Sequence, residues 1–259
     1  MEICGRMILS KPYRGMTINR CHQLSKGLVG YWLLNEQSAN VVKDYSGYQN
    51  DGIFVNSPVW IQNGISFPGT SDYVRCNVRN IPSGASPRSV MIWFTPQSTG
   101  GVLFAINTTN SYKFLILCLN YFGQWYLFSD NINTDNNITV SGSEIPITNR
   151  LNCLVFVLSD STHAQYYLNG SHIKDIVFPI SINTGTPTYI TLGDRLDLIG
   201  QNFTGYIHSI SFYNRALINK EVYSLFHNPY EIFQLHNYVL PNSVPPIKRI
   251  FYYLYNQDV

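Results

Sequence analysis

The sequence predicts an all-β fold, a sandwich or barrel of about a dozen short strands. Three observations carry that expectation. Apolar, β-branched and aromatic runs recur through the middle of the chain, each bounded by Gly, Asn, Asp, Pro or Ser, as strands punctuated by turns are. The composition suits strands and turns better than helices: 12% of residues are charged, 14% are aromatic, and 19 are Tyr, a residue that fits a pleated, half-buried surface. A 3.6-residue apolar period is almost absent.

Taken in order, strands are expected at Leu28–Leu34, Asp51–Val55, Ile65–Phe67 and Asp72–Cys76, then at Ser89–Thr95, Val102–Ile106, Tyr112–Leu119 and Trp125–Ser129. The last group is Asn152–Leu158, Ala164–Leu168, His172–Val177, Tyr189–Leu192 and Thr204–Tyr213. Leu28–Leu34 is apolar on both faces, which suits a strand covered on both sides. Asp44-Tyr-Ser-Gly47 and Asn50-Asp-Gly52 are turn chemistry, with glycines available for positive φ. Asn169-Gly170, between Tyr166–Leu168 and His172-Ile173, signals a tight hairpin, because a primed turn needs positive φ at both central residues. A single helix is expected over Leu217–His227, with Leu217, Val222, Leu225 and Phe226 near one face and Asn228-Pro229 ending it. Trp32, Trp60 and Trp93 are expected in the core.

Three parts follow: a basic N-terminal arm (1–26), the strand-rich domain (27–233) and a Pro- and aromatic-rich C-terminal tail (234–259). The arm carries Arg6, Lys11, Arg14, Arg20 and Lys26 against Glu2, a net +4; the whole chain is +2, so the remainder is −2. So small a net charge argues against a nucleic-acid partner, whose phosphates call for a basic face. The five cysteines, Cys4, Cys21, Cys76, Cys118 and Cys153, are odd in number and widely spaced. That fits neither a disulfide framework nor a zinc site, and Cys118 and Cys153, in apolar runs, are expected as small buried side chains. No apolar run is long enough for a signal peptide or a membrane span, so no membrane partner is expected and synthesis in a reducing cytoplasm is. The N-x-[ST] sequons at Asn107, Asn137, Asn169 and Asn202 are read as incidental in so Asn-rich a chain.

Two segments carry a resemblance. The first is Lys26-Gly-Leu-Val-Gly-Tyr-Trp-Leu-Leu-Asn-Glu36 with Asp44-Tyr-Ser-Gly-Tyr-Gln-Asn-Asp-Gly52 and Ile65-Ser-Phe-Pro-Gly-Thr-Ser-Asp-Tyr-Val74. The second is Phe203-Thr-Gly-Tyr-Ile-His-Ser-Ile-Ser-Phe-Tyr-Asn-Arg-Ala-Leu217, running on to Asn228-Pro-Tyr-Glu-Ile-Phe233. Both resemble the laminin-G-like branch of the concanavalin A-like lectin/glucanase superfamily. The resemblance implies a two-sheet antiparallel jelly-roll sandwich over residues 27–233, with one short C-terminal helix and extended terminal arms. The lead-in Lys11-Pro-Tyr-Arg-Gly-Met-Thr-Ile-Asn19, with His22 and Leu24, and the Asn-Pro-Tyr-Glu-Ile-Phe ending are similar to a variant common in tailed-phage virion proteins. That similarity implies a virion component, a capsid decoration or tail-associated protein.

Glycoside hydrolysis normally needs two carboxyl groups flanking the scissile bond, and the glucanase branch places its acids at alternate positions of one strand. None of the glutamates here (Glu2, Glu36, Glu144, Glu221, Glu231) has an acid two residues away, so no catalytic residue is assigned and the chain is expected not to be an enzyme. No H-E-x-x-H, G-x-S-x-G or P-loop pattern is present. Calcium is the one candidate cofactor: laminin-G-like domains often bind it at the sandwich rim, and Asp44, Asp51 and Asp72 lie in turns where its oxygen ligands would gather. Asp and Asn in turns also bond their own backbone. Tyr112, Tyr121, Trp125 and Tyr126 are the candidate glycan platform, against the alternative that aromatics in strands fill the core. Arg6, Lys11, Arg14 and Arg20 in the arm, and Phe251, Tyr252, Tyr253 and Tyr255 in the tail, are the candidate assembly contacts; an extended aromatic segment can add to a sheet edge of its own domain or a neighbour's.

The functional expectation is thus a non-enzymatic structural component of a phage virion, attached through its arms to other virion proteins or to further copies of itself. The alternative is an adhesin module recognising host-surface glycans, with hydrolase activity a distant third.

Overall fold

In the computed structural model, the structure describes residues 11–13, 15–108, 115–121, 124–129, 138–140, 146–179, 181–194 and 202–234, and only the backbone between 115 and 140. The chain forms two large antiparallel sheets, as the sequence predicts. Sheet I has the order β12 (Ile138–Val140), β11 (Gln124–Ser129), β10 (Leu115–Tyr121), β9 (Gly101–Thr108), β16 (Pro187–Leu192), β7 (Tyr73–Cys76), β4 (Gly52–Val55), β3 (Val41–Val42). Sheet II has the order β15 (Ser171–Val177), β14 (His163–Leu168), β13 (Asn152–Leu158), β8 (Arg88–Pro96), β17 (Thr204–Tyr213), β6 (Gly64–Pro68), β5 (Val59–Ile61). Beyond Ile207, β17 turns from β6 to β2 (Leu28–Trp32), pairing Ile210 with Trp32 and Phe212 with Gly30.

Strand alternation splits sheet II between two cores. Val90, Ile92 and Phe94 of β8, with Leu154, Phe156 and Leu158 of β13, face sheet I and pack with Val74, Phe104, Ile106, Ile190 and Leu192. The residues between them, Met91, Trp93, Cys153, Val155 and Val157, form a second core on the outer face. That face is covered by α1 (Asn219–His227), a 3-10 turn at Gln23–Ser25, and a two-stranded clip of β1 (Thr17–Ile18) with β18 (Phe233–Gln234). Leu24, Val222, Leu225, Ile232 and Phe233 supply the cover's apolar side chains. Burial on both faces explains why β2 and β13 read as continuous apolar runs. Trp32 and Trp93 are buried as expected, whereas Trp60 is only partly buried, tilted against Phe54. Cys76 and Cys153 are buried and Cys21 is exposed, none of the three in a disulfide.

The Asn169-Gly170 turn has φ of 51° and 81°, closing Leu168 onto Ser171. A Cβ on Gly170 would run into the Phe226 ring, so this glycine also lets the hairpin meet α1. The helix begins two residues later than the pattern predicts. Leu217 is buried ahead of it, and the Glu221 carboxylate accepts from the Ile218 amide at 3.0 Å while forking to the Arg215 guanidinium at 2.7 and 2.8 Å.

The lead-in corrects an expectation. Lys11, predicted as a solvated arm residue available for assembly, has its amine inside the chain's own sandwich. Its Nζ donates to Leu33 O (2.6 Å), Asn63 O (2.9 Å) and His208 O (2.5 Å), with Leu34 O at 3.4 Å. Leu34, Gln37 and Ala39 all hold positive φ in the loop that Lys11 anchors, a strain that persists only where surrounding contacts over-determine the backbone. Downstream, Asn35 Nδ2 donates to Pro12 O at 2.8 Å and the Asn19 amide to Ile232 O at 2.7 Å. The lead-in from Lys11 to Leu24 is therefore a strap packed on the sandwich rather than a separate arm. Arg6, Arg14, Phe251, Tyr252, Tyr253 and Tyr255 lie outside the described residues.

Candidate functional site

The Asp44–Asn50 segment joins β3 to β4 and wraps around one buried carboxylate. Asp44 is 3% exposed. Its Oδ1 accepts from the Tyr31 and Ser46 amides at 2.9 and 2.8 Å, and its Oδ2 from the Ser46 hydroxyl at 2.7 Å and the Asn50 amide at 2.9 Å. Four donors saturate the carboxylate without a cation. Asn50 extends the hub: its Oδ1 accepts from the Arg79 amide at 2.6 Å, its Nδ2 donates to Val29 O at 2.8 Å and Arg79 O at 3.1 Å, and its carbonyl takes the Trp32 indole N–H at 2.9 Å.

The other two turn aspartates are likewise engaged by their own loops. Asp51 Oδ1 accepts from the Asp44 amide at 2.8 Å and its Oδ2 pairs with Lys43 Nζ at 3.2 Å. Asp72 accepts from the Ser57 amide (2.7 Å), the Thr70 amide (3.2 Å) and the Thr70 hydroxyl (2.7 Å). The structure joins Asp44 to Asp51 through the backbone and leaves Asp72 in a separate network. Among the described residues no group of three or more His, Cys, Asp or Glu is disposed to hold a metal. The three aspartates brace loops, as turn carboxylates commonly do.

What the hub holds outward is the tip Gly47-Tyr48-Gln49. Gly47 (φ 85°) and Gln49 (φ 61°) turn the chain on either side of Tyr48, which is 39% exposed. The Arg20 guanidinium lies against Gly47, where any Cβ would collide with it. On the other side, Arg79 Nη1 donates to Gln49 Oε1 at 2.6 Å. A tyrosine ring with two exposed guanidiniums is thus set on a saturated polar base. In the sequence Arg20 reads as an arm charge and candidate assembly contact, and Tyr48 and Arg79 carry no signal of their own, since contact across about thirty residues does not show in a local pattern.

The predicted aromatic platform falls at the opposite margin of sheet I. Tyr112 lies outside the described residues. In backbone register Tyr121 stands opposite Gln124, Tyr126 opposite Cys118 and Thr139, and Trp125 opposite Val140, so all three occupy the strands nearest the β12 edge.

A second polar cluster lies under the Lys11 strap. His208 is 9% exposed, with Nδ1 at 2.9 Å from Asn63 O and Nε2 at 2.9 Å from Thr95 Oγ1. The carbonyl can only accept, which places the ring proton on Nδ1. Burial, and secondarily the Lys11 charge, hold this imidazole down to about 4, while its bond to Asn63 O opposes them. Burial also lowers the Lys11 amine to about 7, opposed by the Glu36 charge, and raises the Glu36 carboxyl. Of the other described acids, Asp160 and Asp175 pair with His163 and His172 on the surface.

Comparisons place this geometry among known folds. A comparison with curated proteins returns no significant match. Among solved structures, domain 4 of AbnA, a GH43 extracellular arabinanase from Geobacillus stearothermophilus, in complex with arabinotriose, matches with a TM-score of 0.62 at 17% identity, over 76% of this chain and 97% of that one. The botulinum neurotoxin serotype D binding domain matches at 0.60 and 13% identity, over 81% of this chain and 54% of its own. Trypanosoma rangeli sialidase in complex with sialic acid matches at 0.58 and 15%, over 80% and 33%. This chain therefore spans about half of the toxin domain and a third of the sialidase. At such identities the likeness shows a shared fold. A laminin-G-type family model matches residues 68–223, more than half of the sequence, and with it the chain belongs to the concanavalin A-like lectin/glucanases superfamily.

Proposed function

We propose that this protein is a non-enzymatic, carbohydrate-binding sandwich. The observation that carries the reading is its fit to nearly the whole of one such domain: 97% of the arabinanase domain solved with arabinotriose is covered by this chain. Four of the described acids support the non-catalytic half. A glycosidase needs one carboxyl free to donate a proton and a second free to act as nucleophile or base. Here Asp44, Asp51 and Asp72 are held by backbone amides, and Glu221 by Arg215. The test is a glycan array with the full chain, alongside incubation with polysaccharides. Binding without release of reducing ends is expected. Release of reducing ends, stopped by an acidic substitution, would overturn the reading.

A second reading sets the module on a phage particle as a structural component attached through its arms. Besides the lead-in and ending motifs, one observation favours it: β1 pairs with β18, Ile18 opposite Phe233, so the strap that follows one arm and the segment that precedes the other lie side by side. Because residues 11–26 are part of the sandwich, the truncations that test it remove 1–10 or 235–259. Both should leave a folded protein that no longer incorporates into particles, and normal incorporation of both would refute attachment through the arms.

A further inference from the structure

Resting on the glycan-binding reading, we propose that the Gly47-Tyr48-Gln49 tip is the binding site and that it takes an acidic sugar, a pyranose unit bearing a carboxylate. Three features converge there. Tyr48 offers an apolar ring with a polar end on exposed surface, the combination that stacks on a sugar ring while hydrogen-bonding its hydroxyls. Two guanidiniums flank it, Arg20 against Gly47 and Arg79 on Gln49. Neither has a carboxylate partner among the described residues; of the acids nearest the tip in sequence, Asp51 is held by Lys43 and the Asp44 amide, and Asp44 is saturated. The guanidinium fork matches a carboxylate bidentately and is more weakly hydrated than an ammonium.

The site is also preorganised. Arg79 is fixed through both its amide and its carbonyl to Asn50, and Arg20 follows Asn19, whose amide is bonded to Ile232 O. Both charges are therefore carried by backbone tied to the same scaffold as the tip, which limits the ordering cost of binding. Among the described residues Tyr13 and Tyr223 are also exposed; Tyr223 differs in having its ring packed 4.0 Å from His227, and Tyr13 has no described arginine against its neighbours. A neutral sugar would engage the Tyr48 ring but neither charge.

The experiment is an array of matched sialylated, uronic-acid and neutral oligosaccharides at low salt, probed with the full-length protein, R20Q/R79Q, R20K/R79K and Y48A. Thermal melts check that each variant is folded; all three positions are exposed. The wild type should retain carboxylated glycans over their neutral partners. R20Q/R79Q should lose at least about tenfold in affinity, as expected when charge-assisted hydrogen bonds go. R20K/R79K should recover only part of that loss, since it keeps charge without the fork, and binding should weaken as salt rises. Binding confined to neutral glycans, or acidic binding undiminished in R20Q/R79Q, overturns this proposal while leaving the glycan-binding reading standing. Binding to no glycan overturns both.

Discussion

Removing the Asp44 carboxylate is the sharpest test of how the tip is built. In Asp44→Ala, the Tyr31, Ser46 and Asn50 amides and the Ser46 hydroxyl lose their acceptor in a site 3% exposed. A buried donor left unsatisfied costs about 1–3 kcal/mol. Four such losses exceed the net effect, because alanine also relieves the desolvation of a buried charge and water can enter the vacated space. The expected loss of stability is therefore about 3–5 kcal/mol, in the range of broken buried networks. For a domain of this size that corresponds to a fall in Tm on the order of 10 °C. Asp44→Asn should cost less, since it keeps one accepting oxygen but turns an NH2 toward donors. Trp32 is a natural reporter, because its indole N–H is bonded to Asn50 O in the same hub. Urea unfolding followed by tryptophan fluorescence, with EDTA and with millimolar calcium, separates a brace from a metal ligand. The wild type should unfold identically in both. A loss below about 1 kcal/mol in Asp44→Ala, or a wild type that EDTA weakens as much as the substitution does, would refute the structural hub.

Two further outcomes concern the cluster under the strap. His208 is held at about 4 in the folded state against 6.5 ordinarily, so the unfolded chain takes up the proton first: stability is complete above about pH 6.5 and falls as pH drops toward 4, by about 3 kcal/mol in all. His208→Gln should flatten that window in urea melts, and an equally steep acid loss in the variant would contradict a neutral buried imidazole. The Lys11 amine is lowered to about 7 from 10.5, so between those values the unfolded chain holds the extra proton and stability should rise with pH. Lys11→Met should abolish that rise, and a wild-type curve flat between pH 7 and 10 would contradict it.

How far the fold was legible follows from how local its causes are. Asn152–Leu158 and Thr204–Tyr213 have the bounds the sequence predicts, because long apolar runs between turn residues leave little choice of period. The Asn169-Gly170 hairpin was legible because its positive φ values demand those residue types. The short strands β1, β3, β5, β12 and β18 were not, since two or three residues carry no alternation. The place of Lys11 is hidden from the sequence for a different reason. A basic, polar stretch reads as solvated, and the carbonyls that receive its amine come from Leu33, Asn63 and His208, which no local pattern joins to it. The candidate site lay beyond local reading in the same way: Arg20, Tyr48 and Arg79 meet only after two sheets and a strap are in place. The turn chemistry of Asp44-Tyr-Ser-Gly47 was visible, while the identity of its partners was not.

The β1–β18 clip sets the order of events at the ribosome. Sheet II is nearly complete once Tyr213 has emerged, but its outer apolar layer, with Met91, Trp93, Val155 and Val157, is fully covered only when α1 and then Phe233 have followed, the latter joining Ile18. The contact that seals the domain is among those most distant in the chain, so the strap, made early, must wait for β18, made late. A nascent chain stalled in the helix would carry an exposed oily face, the state in which chains meet one another or a chaperone. Translation past Phe233, rather than formation of either sheet, is the step that frees this protein from that hazard.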